Sequence, residues 1–424
     1  MDNARRDASQ PDRSSLDCTC IPYRLFVDPE VQEQEQDRLW QGPIWSYVGL
    51  EAELAEPGAF RTTTIGRAPV VATRDLKGQL HLLLNRCAHR GAMVCRAPRG
   101  RLKTIVCPYH QWNYDLAGRL RGVPFRAGVN GRGGYPADFS LSDHGLTELR
   151  LESCQGVLFG SFSPQAPALS DYLGSAVVEE LARVFNRPIQ ILGYSRQEIR
   201  SNWKLYAENT RDPYHASLLH LFHATFTSHR ATAEGTTTTG PNHGHIQSFK
   251  GDDEAEASAF RQEAATTEYK LADPSLMAGR PEFGRRALSV LSIFPNLVVQ
   301  QISNTLATRQ IVPLEVDRFE LVVTYFGYQD DDDELRAIRL KQANLIGPAG
   351  YISLEDGYAV ELVQRALANH PTTHSVIEMG GRDTAPAQTL VTENALRAFW
   401  RSWGQAMGLR LEAAAGAGLG ASHG

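Results

Sequence analysis

The first half of the chain is built from short β-rich runs separated by turn residues. These runs follow one another from residue 60 to residue 114, interrupted by Gly, Pro or an Asp-Leu-Lys-Gly turn. Such spacing is typical of an antiparallel sheet of short strands. It predicts a small antiparallel β domain over residues 41–162. In the preceding segment, residues 1–40, Asp28 followed by Pro29 predicts a helix that ends near Trp40. The strand-like runs are FRTTTIG, PVVATRD, LHLLLN, KTIVC and WNYDLAG.

Longer periodic segments fill the second half. A helical stretch at residues 173–185 precedes the strand-like run IQILGYSRQEI, and the polar stretch 229–260 predicts a flexible loop or cap. Further strands and then helices follow, which predicts an α+β domain over residues 163–408. The low-complexity residues 409–424 predict a disordered tail. The later strands are SVLSIF, NLVVQQIS, TLATRQIV and FELVVTYFGY, and helices are expected at residues 334–345, 353–368 and 392–407.

Composition narrows the class of protein without indicating a reaction. The 424 residues are 42% apolar and 21% charged, with a net charge of −5, as in an ordinary folded chain. The lack of a basic excess argues against nucleic-acid binding, and no apolar run reaches the ~18–20 residues of a membrane helix. The polar N-terminus lacks a signal core, so we expect a soluble protein of the reducing cytoplasm. There, closely spaced cysteines indicate metal binding rather than disulfides.

Two mixed pairs of cysteine and histidine lie in the β domain. CAHRG contains Cys87 and His89, CPYHQWNY contains Cys107 and His110, and each pair lies at a turn beside a strand. Two tight turns can bring these four side chains together. A structural zinc site is one interpretation. The mixed composition of each pair favours the other interpretation, a Rieske [2Fe–2S] cluster, in which two cysteines hold one iron and two histidines the other.

A second set of metal-binding side chains lies in the α+β region. His215 and His220 are five residues apart, so they can share a site only if the helix is distorted or begins near His215. Two imidazoles and one carboxylate form the facial triad of non-haem Fe(II) oxygenases. Glu355 and Asp356 both lie in the first turn of a predicted helix. Spacing alone selects neither of them as the carboxylate.

The sequence does not decide the roles of two residues near these histidines. His223, three residues after His220, is a rival ligand. Asp212 precedes His215 by three residues and would share its face of a helix. A carboxylate there can hydrogen-bond a ligand imidazole. The alternative for Asp212 is a helix cap or a surface acid before a proline.

The motifs CAHRG, CPYHQWNY, ENTRDPYHASLLH and GPAGYISLEDG occur in this order along the chain. With them, the sequence from about residue 40 to residue 407 resembles the large (α) subunits of Rieske non-haem iron aromatic-ring-hydroxylating oxygenases. Within that family it is most similar to the oxygenases of benzoate-type acids, namely terephthalate dioxygenase, anthranilate dioxygenase and salicylate 5-hydroxylase. The resemblance implies an N-terminal Rieske domain and a C-terminal catalytic domain of the helix-grip (START-like) type.

The resemblance also implies cofactors and partners. Asp212 matches an aspartate that links the mononuclear iron site of one subunit to a cluster histidine, here His110, of the next. Function would then require an oligomer, either a homotrimer of α or α3β3 with a small β subunit. An NADH-dependent reductase, in some members with a ferredoxin, would supply electrons for hydroxylation by O2. The cluster ligands would be Cys87, His89, Cys107 and His110, and the ligands of a mononuclear Fe(II) would be His215, His220 and Asp356.

Two arginines bear on the charge of the substrate. Arg309 lies among apolar strand residues, and Arg397 lies on the last predicted helix. Turned inward, each could bind a substrate carboxylate, whereas turned outward each would be a surface charge. Both positions resemble the carboxylate-binding arginines of terephthalate dioxygenase, and some relatives that act on monocarboxylates carry arginines there too. We therefore expect an aromatic acid, with cis-dihydroxylation of terephthalate or of an ortho-substituted benzoate such as anthranilate. Monohydroxylation of salicylate, or a Rieske electron-transfer protein without oxygenase activity, are the alternatives.

Overall fold

Two seven-stranded antiparallel sheets carry the main elements of the chain. The structure, a computed structural model, describes residues 14–226, 235–240, 244–249, 271–284, 288–347, 350–368 and 372–412. Its strands are β1 (Ser15–Leu16), β2 (Ser46–Leu50), β3 (Ala59–Ile65), β4 (Ala68–Arg74), β5 (Leu80–Leu84), β6 (Arg99–Arg101), β7 (Ile105–Val106), β8 (Asn113–Tyr114), β9 (Leu120–Gly122), β10 (Glu148–Cys154), β11 (Val157–Ser161), β12 (Ile189–Ile199), β13 (Gly235–Thr239), β14 (Gly244–Phe249), β15 (Leu288–Ile293), β16 (Leu297–Ile302), β17 (Thr305–Glu315), β18 (Arg318–Tyr328) and β19 (Arg410–Leu411).

Helices flank the sheets and connect them. The first follows Asp28, whose carboxylate accepts a hydrogen bond from the backbone N–H of Glu30, which confirms the predicted cap. It continues as a π-helical turn over Gln36–Trp40. The α-helices are α1 (Pro29–Glu35), α2 (Leu169–Leu173), α3 (Ser175–Val184), α4 (Trp203–Asn209), α5 (Ala216–Leu219), α6 (Leu221–Phe226), α7 (Asp333–Ile346), α8 (Leu354–Leu367) and α9 (Asn394–Ala406), with short 3-10 helices at Tyr23–Phe26, Glu51–Leu54, Leu141–His144 and Pro274–Met277.

The first sheet and a small satellite sheet form the N-terminal β region. The strand order of the large sheet is β2-β11-β10-β5-β4-β3-β6, and β7, β8 and β9 form a separate three-stranded sheet. All these pairings are antiparallel. The prediction of an antiparallel β domain is therefore confirmed. The loops after β5 and β7 carry the two Cys–His pairs, so the satellite sheet and the large sheet together hold them in place.

The second sheet forms the centre of the C-terminal region. Its order is β12-β18-β17-β16-β15-β14-β13, and all its pairings are antiparallel. Strand β12 coincides with the run IQILGYSRQEI, and helices α7, α8 and α9 lie where helices were expected. The α+β prediction is confirmed. The expectation of a loop is wrong for residues 235–239 and 244–249, which form the hairpin β13–β14. Residues 229–234, 241–243 and 250–260 lie outside the described residues.

The two ends of the described chain are paired with each other. Ser15 and Leu16 form a parallel bridge with Arg410 and Leu411, and Leu16 is buried. The expectation of a disordered tail from residue 409 onward is therefore wrong for residues 409–412, because pairing and burial hold them. Residues 1–13 and 413–424 lie outside the described residues.

One hydrophobic core joins the two sheets. It contains Val48 and Leu158 from the first sheet and Val299 and Phe319 from the second. Polar bonds cross the same boundary, since the backbone N–H of Tyr47 donates to Asn296 Oδ1 at 2.9 Å. The first sheet, from which the Cys87 loop extends, and the C-terminal region are thus parts of one packed body. No helix within the described ranges is long and apolar enough to span a membrane.

A buried charge fixes the helix that leads to the second candidate site. Glu35 lies 2.8 Å from the ammonium of Lys204, and both side chains are buried. The indole N–H groups of Trp203 and Trp403 donate to the same carboxylate at 2.9 and 2.8 Å. Burial lowers the pKa of Lys204 although Glu35 opposes this effect. A buried ion pair needs such additional hydrogen bonds, and these bonds tie α1, α4 and α9 together.

Candidate metal centres

The two Cys–His loops have the same backbone design. In each, the cysteine carbonyl accepts a hydrogen bond from the residue four positions later, Gly91 or Gln111, at 3.0 Å. In each, the cysteine N–H donates to the residue five positions later at 2.8 Å. Gly91 and Gln111 both have positive φ, at 75° and 56°, a region that glycine adopts freely and glutamine rarely does. Two matching tight turns therefore present their side chains towards each other.

The four side chains of these loops form two close pairs, one of imidazoles and one of thiols. The rings of His89 and His110 lie with centroids 4.6 Å apart, and the Nδ1 atom of each is buried without a hydrogen-bond partner among the described residues. Burial raises the pKa of Cys87, and the neighbouring thiol of Cys107 adds to that effect. Buried nitrogen atoms without partners are costly unless something binds them. A pair of imidazole nitrogens without partners and a pair of adjoining thiols fit the donor set of a Rieske cluster.

Aromatic rings and a tyrosine hydroxyl contact three of these four side chains. The ring of His89 stacks on Trp112 with centroids 4.7 Å apart and an angle of 7° between planes. Tyr109 stacks on His110 at 3.8 Å. The hydroxyl of Tyr114 lies 3.1 Å from the Cys87 sulfur and accepts a hydrogen bond from the backbone N–H of Ala88. These contacts fix both rings and one sulfur before any metal binds.

The second site brings together His215, His220 and Asp356. Their possible ligand atoms all lie within 4.8 Å of one another. The Nε2 atoms of His215 and His220 lie 3.3 and 3.4 Å from the same oxygen, Asp356 Oδ1. Asn209 donates to that oxygen at 3.2 Å. Two imidazole nitrogens and a carboxylate that converge from one side fit a 2-His-1-carboxylate iron site.

A break in the helix accommodates the spacing of five residues. His215 is the N-cap residue of α5, and His220, with extended backbone angles (φ −80°, ψ 105°), separates α5 from α6. The interruption turns His220 back towards His215, so the two rings lie with centroids 5.4 Å apart. A helix that begins at His215 was one of the two geometries that the spacing allowed, and the structure has that geometry.

The adjacent acids Glu355 and Asp356 have different partners. Asp356 is buried beside both histidines, whereas Glu355 accepts a hydrogen bond from His220 Nδ1 at 3.1 Å. Burial alone would favour the neutral acid, but His215, His220 and Arg309 together lower the pKa of Asp356. Glu355 thus orients a ligand imidazole, as carboxylates behind metal-bound histidines do. Sequence reasoning assigned no such role to Glu355, because adjacent helix residues give no signal of which side each faces.

Asp212 lies directly behind His215. Its Oδ1 atom accepts the backbone N–H of His215 at 3.2 Å and lies 3.8 Å from the ring nitrogen Nδ1. Burial opposes protonation of His215, but Asp212 and Asp356 outweigh it and raise its pKa to about 10. The same two negative charges would favour a metal cation bound to the deprotonated ring nitrogen in place of the proton. His223 lies farther out, with its ring centroid 5.5 Å from that of His220, and it forms part of a cavity wall.

A cavity opens at the second site. It encloses about 760 Å³, part of it open to solvent, and all three converging side chains line it. Most of the remaining wall is apolar, and its aliphatic members are Leu288, Val290, Val298, Ile302, Ile352 and Leu390.

The two arginines singled out from the sequence occupy different environments. Arg309 lines the cavity and donates to Tyr206 at 2.9 Å and to Ser353 at 3.1 Å. Arg397 is fully buried, does not line the cavity, and donates to the backbone carbonyls of Ile377 and Asp383 at 3.1 and 2.7 Å. The structure thus brings Arg309, but not Arg397, to the site.

Comparisons with known proteins identify the family of both regions. Residues 44–131 match the family model of the Rieske [2Fe-2S] domain, and residues 179–409 match that of the ring hydroxylating alpha subunit (catalytic domain). The chain is 45% identical to the anthranilate 1,2-dioxygenase large subunit of Burkholderia cepacia, over 96% of this chain and 97% of that one. It is 42% identical to the terephthalate 1,2-dioxygenase terminal oxygenase component subunit alpha 2 of Comamonas sp., over 93% and 97%.

Two further comparisons extend this result. The large oxygenase component of salicylate 5-hydroxylase from Ralstonia sp. is 39% identical, over 92% of this chain and 94% of that one. The crystal structure of naphthalene 1,2-dioxygenase from Rhodococcus sp. superimposes with a TM-score of 0.78 at 25% identity, over 92% and 94% of the two chains. Sequence and fold therefore lead to the same group of proteins.

Proposed function

The chain belongs to the α subunits of the Rieske ring-hydroxylating oxygenases, and from that premise we propose that it hydroxylates an aromatic monocarboxylate anchored by Arg309. Proteins of this family are oxidoreductases with a Rieske [2Fe–2S] cluster and a mononuclear non-haem iron. One observation carries the proposal. Among the described residues that line the cavity, Arg309 is the single lysine or arginine. An acid of the anthranilate type, with one carboxylate, fits such a site better than terephthalate with two.

The surroundings of Arg309 support a role in anion binding. Its hydrogen-bond partners in the described residues are neutral: the Tyr206 hydroxyl, the Ser353 hydroxyl and the carbonyl of Ile346. Its guanidinium group forms no direct ion pair there, although it is buried. The charge of Asp356 also favours the guanidinium cation, but no carboxylate of the described residues forms a direct ion pair with it. A buried cation without a direct ionic partner is unfavourable, so a substrate carboxylate would fill that role, with the planar guanidinium group giving it direction.

The other residues of the site would position the ring and the metals. When bound, the cluster supplies electrons one at a time and the mononuclear iron activates O2. The aliphatic wall holds the aromatic ring and excludes water from it. Glu355 and Asp212 keep the imidazoles of His220 and His215 oriented from behind. The carboxylate anchor at Arg309 sets which ring carbon faces the iron site.

A single-turnover assay tests the proposal without any partner protein. The purified iron-loaded protein is reduced chemically and mixed with O2 and one acid from a panel of anthranilate, benzoate, salicylate, 2-chlorobenzoate and terephthalate. We expect product from a monocarboxylate and little from terephthalate, and the mass of the product separates dihydroxylation from monohydroxylation. Salicylate monohydroxylation is the second candidate, because of the relative at 39% identity. Turnover of terephthalate alone would refute the monocarboxylate assignment.

Arg309→Gln tests the anchor. The apparent KM for the accepted acid should rise by one to two orders of magnitude, about the cost of a lost charge-assisted hydrogen bond, while the KM for its neutral amide changes little. Arg397→Gln is the matched control, because its side chain donates to backbone carbonyls instead. We expect that change to lower stability without separating acid from amide. Equal effects of Arg309→Gln on acid and amide would remove the carboxylate role.

We further propose that Asp212 passes electrons between subunits of a trimer. It lies against His215, and the loop tips that carry His89 and His110 are bordered by exposed residues such as Arg90 and Tyr109. A neighbouring subunit could therefore bring its cluster to this aspartate. Asp212→Asn should retain both metals and slow reoxidation of the reduced cluster by about two orders of magnitude. Unchanged reoxidation in that variant would contradict the proposal.

We also propose two kinds of protein partner, an electron donor and a small β subunit. A reductase that uses NADH, directly or through a ferredoxin, would reduce the cluster, and a small β subunit could complete an α3β3 assembly. Light scattering of the purified α chain distinguishes a self-sufficient trimer from a chain that needs β. A monomer with normal single turnover would refute the requirement for an oligomer.

A further inference from the structure

A second cavity lies against the active-site cavity. It holds about 470 Å³, part of it open to solvent, and its wall includes Phe222, Leu276, Met277, Leu345 and Ile346 with the polar Ser303 and Gln342. We call it the annex. Three side chains line both cavities: His223, Ile302 and Ile352. These three therefore form a partition one side chain thick between the space at the iron site and the annex.

Hydrogen bonds connect the segment next to the partition with the carboxylate anchor, Arg309. The backbone N–H of Ile352 donates to the carbonyl of Leu345 at 2.8 Å. The carbonyl of Ile346, on the annex side, accepts from Arg309 Nη2 at 3.2 Å. Ile352 itself is only 7% exposed. A substrate whose carboxylate binds Arg309 thus lies beside the partition, and its ring substituents meet Ile352 or Ile302 before they meet the annex.

The annex has its own apolar lining, separate from the main core. Phe222, Leu345, Ile346 and Ile352 form a small hydrophobic cluster of their own, with Leu276 and Ile302 packed against it. An apolar space of this kind favours an apolar group over water. Because this cluster is small and peripheral, one side chain in it can be shortened without a cavity opening in the core that joins the two sheets.

We propose that the annex is a latent second compartment of the substrate site, closed off by Ile352, and that this residue restricts the enzyme to single-ring acids. The ligand class for the opened site is a fused-ring aromatic carboxylate, with its first ring at the iron site and its second ring in the annex. This proposal rests on the proposed hydroxylation of an acid bound by Arg309.

Ile352→Ala tests the proposal with Leu390→Ala as its matched control. Both changes remove the same number of carbon atoms from the active-site wall, but Leu390 does not line the annex. For each variant, kcat/KM is measured for the accepted single-ring acid and for 2-naphthoate. The selectivity is the kcat/KM for 2-naphthoate divided by the kcat/KM for the single-ring acid. We expect Ile352→Ala to raise this selectivity by tenfold or more, which is the scale that a few methyl groups set in a pocket. Leu390→Ala should change it by much less.

Filling the annex provides a second and independent test. Leu276 lines the annex alone and is half-buried, so Leu276→Trp should block that space. In the Ile352→Ala background it should abolish the gain with 2-naphthoate and leave the single-ring acid unaffected. Ile302→Ala opens the partition from strand β16, and it replaces Ile352→Ala if that variant does not fold.

The outcomes separate the two proposals. If the wild-type protein turns over a single-ring acid but Ile352→Ala gains no more with 2-naphthoate than Leu390→Ala, the annex proposal is wrong and the proposed function stands. If no single-ring acid is hydroxylated by the wild-type protein, the proposed function fails first. A gain that Leu276→Trp does not reverse would also overturn the annex, since the second ring would then lie elsewhere.

Discussion

Tyr114 connects the satellite β-sheet to the chemistry of the cluster. Its hydroxyl lies 3.1 Å from Cys87 Sγ and accepts the N–H of Ala88 at 3.2 Å. With the accepting position taken by Ala88, the hydroxyl proton is directed at the sulfur. A cluster-bound cysteine is a thiolate and accepts it. Hydrogen bonds to cluster sulfurs stabilise the reduced, more negative state and so raise the reduction potential.

Tyr114→Phe should therefore lower the midpoint potential of the cluster. The loss of one hydrogen bond of net worth ~0.5–1.5 kcal/mol corresponds to a fall of about 20–60 mV for a one-electron couple. A redox titration followed by the visible spectrum measures this. Tyr135→Phe is the control, because Tyr135 packs near Trp112 without a bond to either cysteine. An unchanged potential in Tyr114→Phe would show that the hydroxyl does not donate to the sulfur.

Single residues also mark the limit of what the sequence predicts. The Cys–His spacings and the pair His215 and His220 indicate their sites because few other structures need those residue types so close together. The choice between Glu355 and Asp356 does not follow from spacing, since it depends on how α8 packs against the segment after α4. Arg397 could bind a ligand or hold a loop, and only its contacts with backbone carbonyls show what it holds.

Among the elements, α4 and α9 meet at a half-buried acid, Glu208. The indole N–H of Trp400 on α9 donates to Glu208 on α4 at 2.6 Å. Burial raises the pKa of Glu208 to about 7. Trp400 and Lys204 oppose that rise, and the charges of Asp212 and Glu393 add to it. The folded state therefore retains a proton on Glu208 that the unfolded chain releases near pH 4.5.

This acid should make the packing of α4 against α9 sensitive to pH. Because the folded pKa is the higher one, stability falls as the pH rises from about 4.5 to about 7, by roughly 1–3 kcal/mol. Glu208→Gln removes that loss, so its melting temperature relative to wild type should increase between pH 5 and pH 8. Glu179→Gln, at an exposed position on α3, is the control. If the difference in melting temperature between Glu208→Gln and wild type stayed constant with pH, the raised pKa of Glu208 would be contradicted.

Elements with an apolar period were predictable, and elements without one were not. Helices α7 and α8 follow the predicted segments, and their buried residues repeat at the helix period. The hairpin β13–β14 escaped prediction because its first strand, GTTTT, has no apolar alternation. Its β-branched threonines nevertheless suit a strand, and pairing with β15 supplies the missing stability.

At the scale of the whole molecule, charge is unevenly distributed. The chain has a net charge of −5, yet residues 86–132, which carry both Cys–His loops, contain ten basic residues and one acid. All ten basic side chains are exposed. The acid, Asp115, is already paired with Arg119 and Arg121. The surface around the cluster is therefore strongly positive on a protein that is negative elsewhere, which favours encounter with an acidic electron donor.

Reduction of the cluster by an acidic donor should therefore slow as salt is added. A plant-type [2Fe–2S] ferredoxin serves as the probe, and stopped-flow spectroscopy follows cluster reduction at several ionic strengths. Lys103→Glu combined with Arg132→Glu should lower the rate by about tenfold at low salt and flatten its salt dependence. The same double reversal at Arg200 and Arg365, exposed positions outside this segment, should have little effect. If both double reversals lowered the reduction rate equally, the positive surface around the cluster would not be what attracts the donor.

The parallel pairing of β1 with β19 gives the chain a property that its linear order conceals. Because Ser15 and Leu16 lie beside Arg410 and Leu411, the beginning and the end of the fold meet, and the backbone nearly closes into a ring. A circular permutant that joins these ends and opens at the exposed turn before β5 would therefore keep every strand pairing. That turn lies at the opposite end of β5 from the Cys87 loop. We therefore expect the permuted chain to fold with both Cys–His loops uninterrupted.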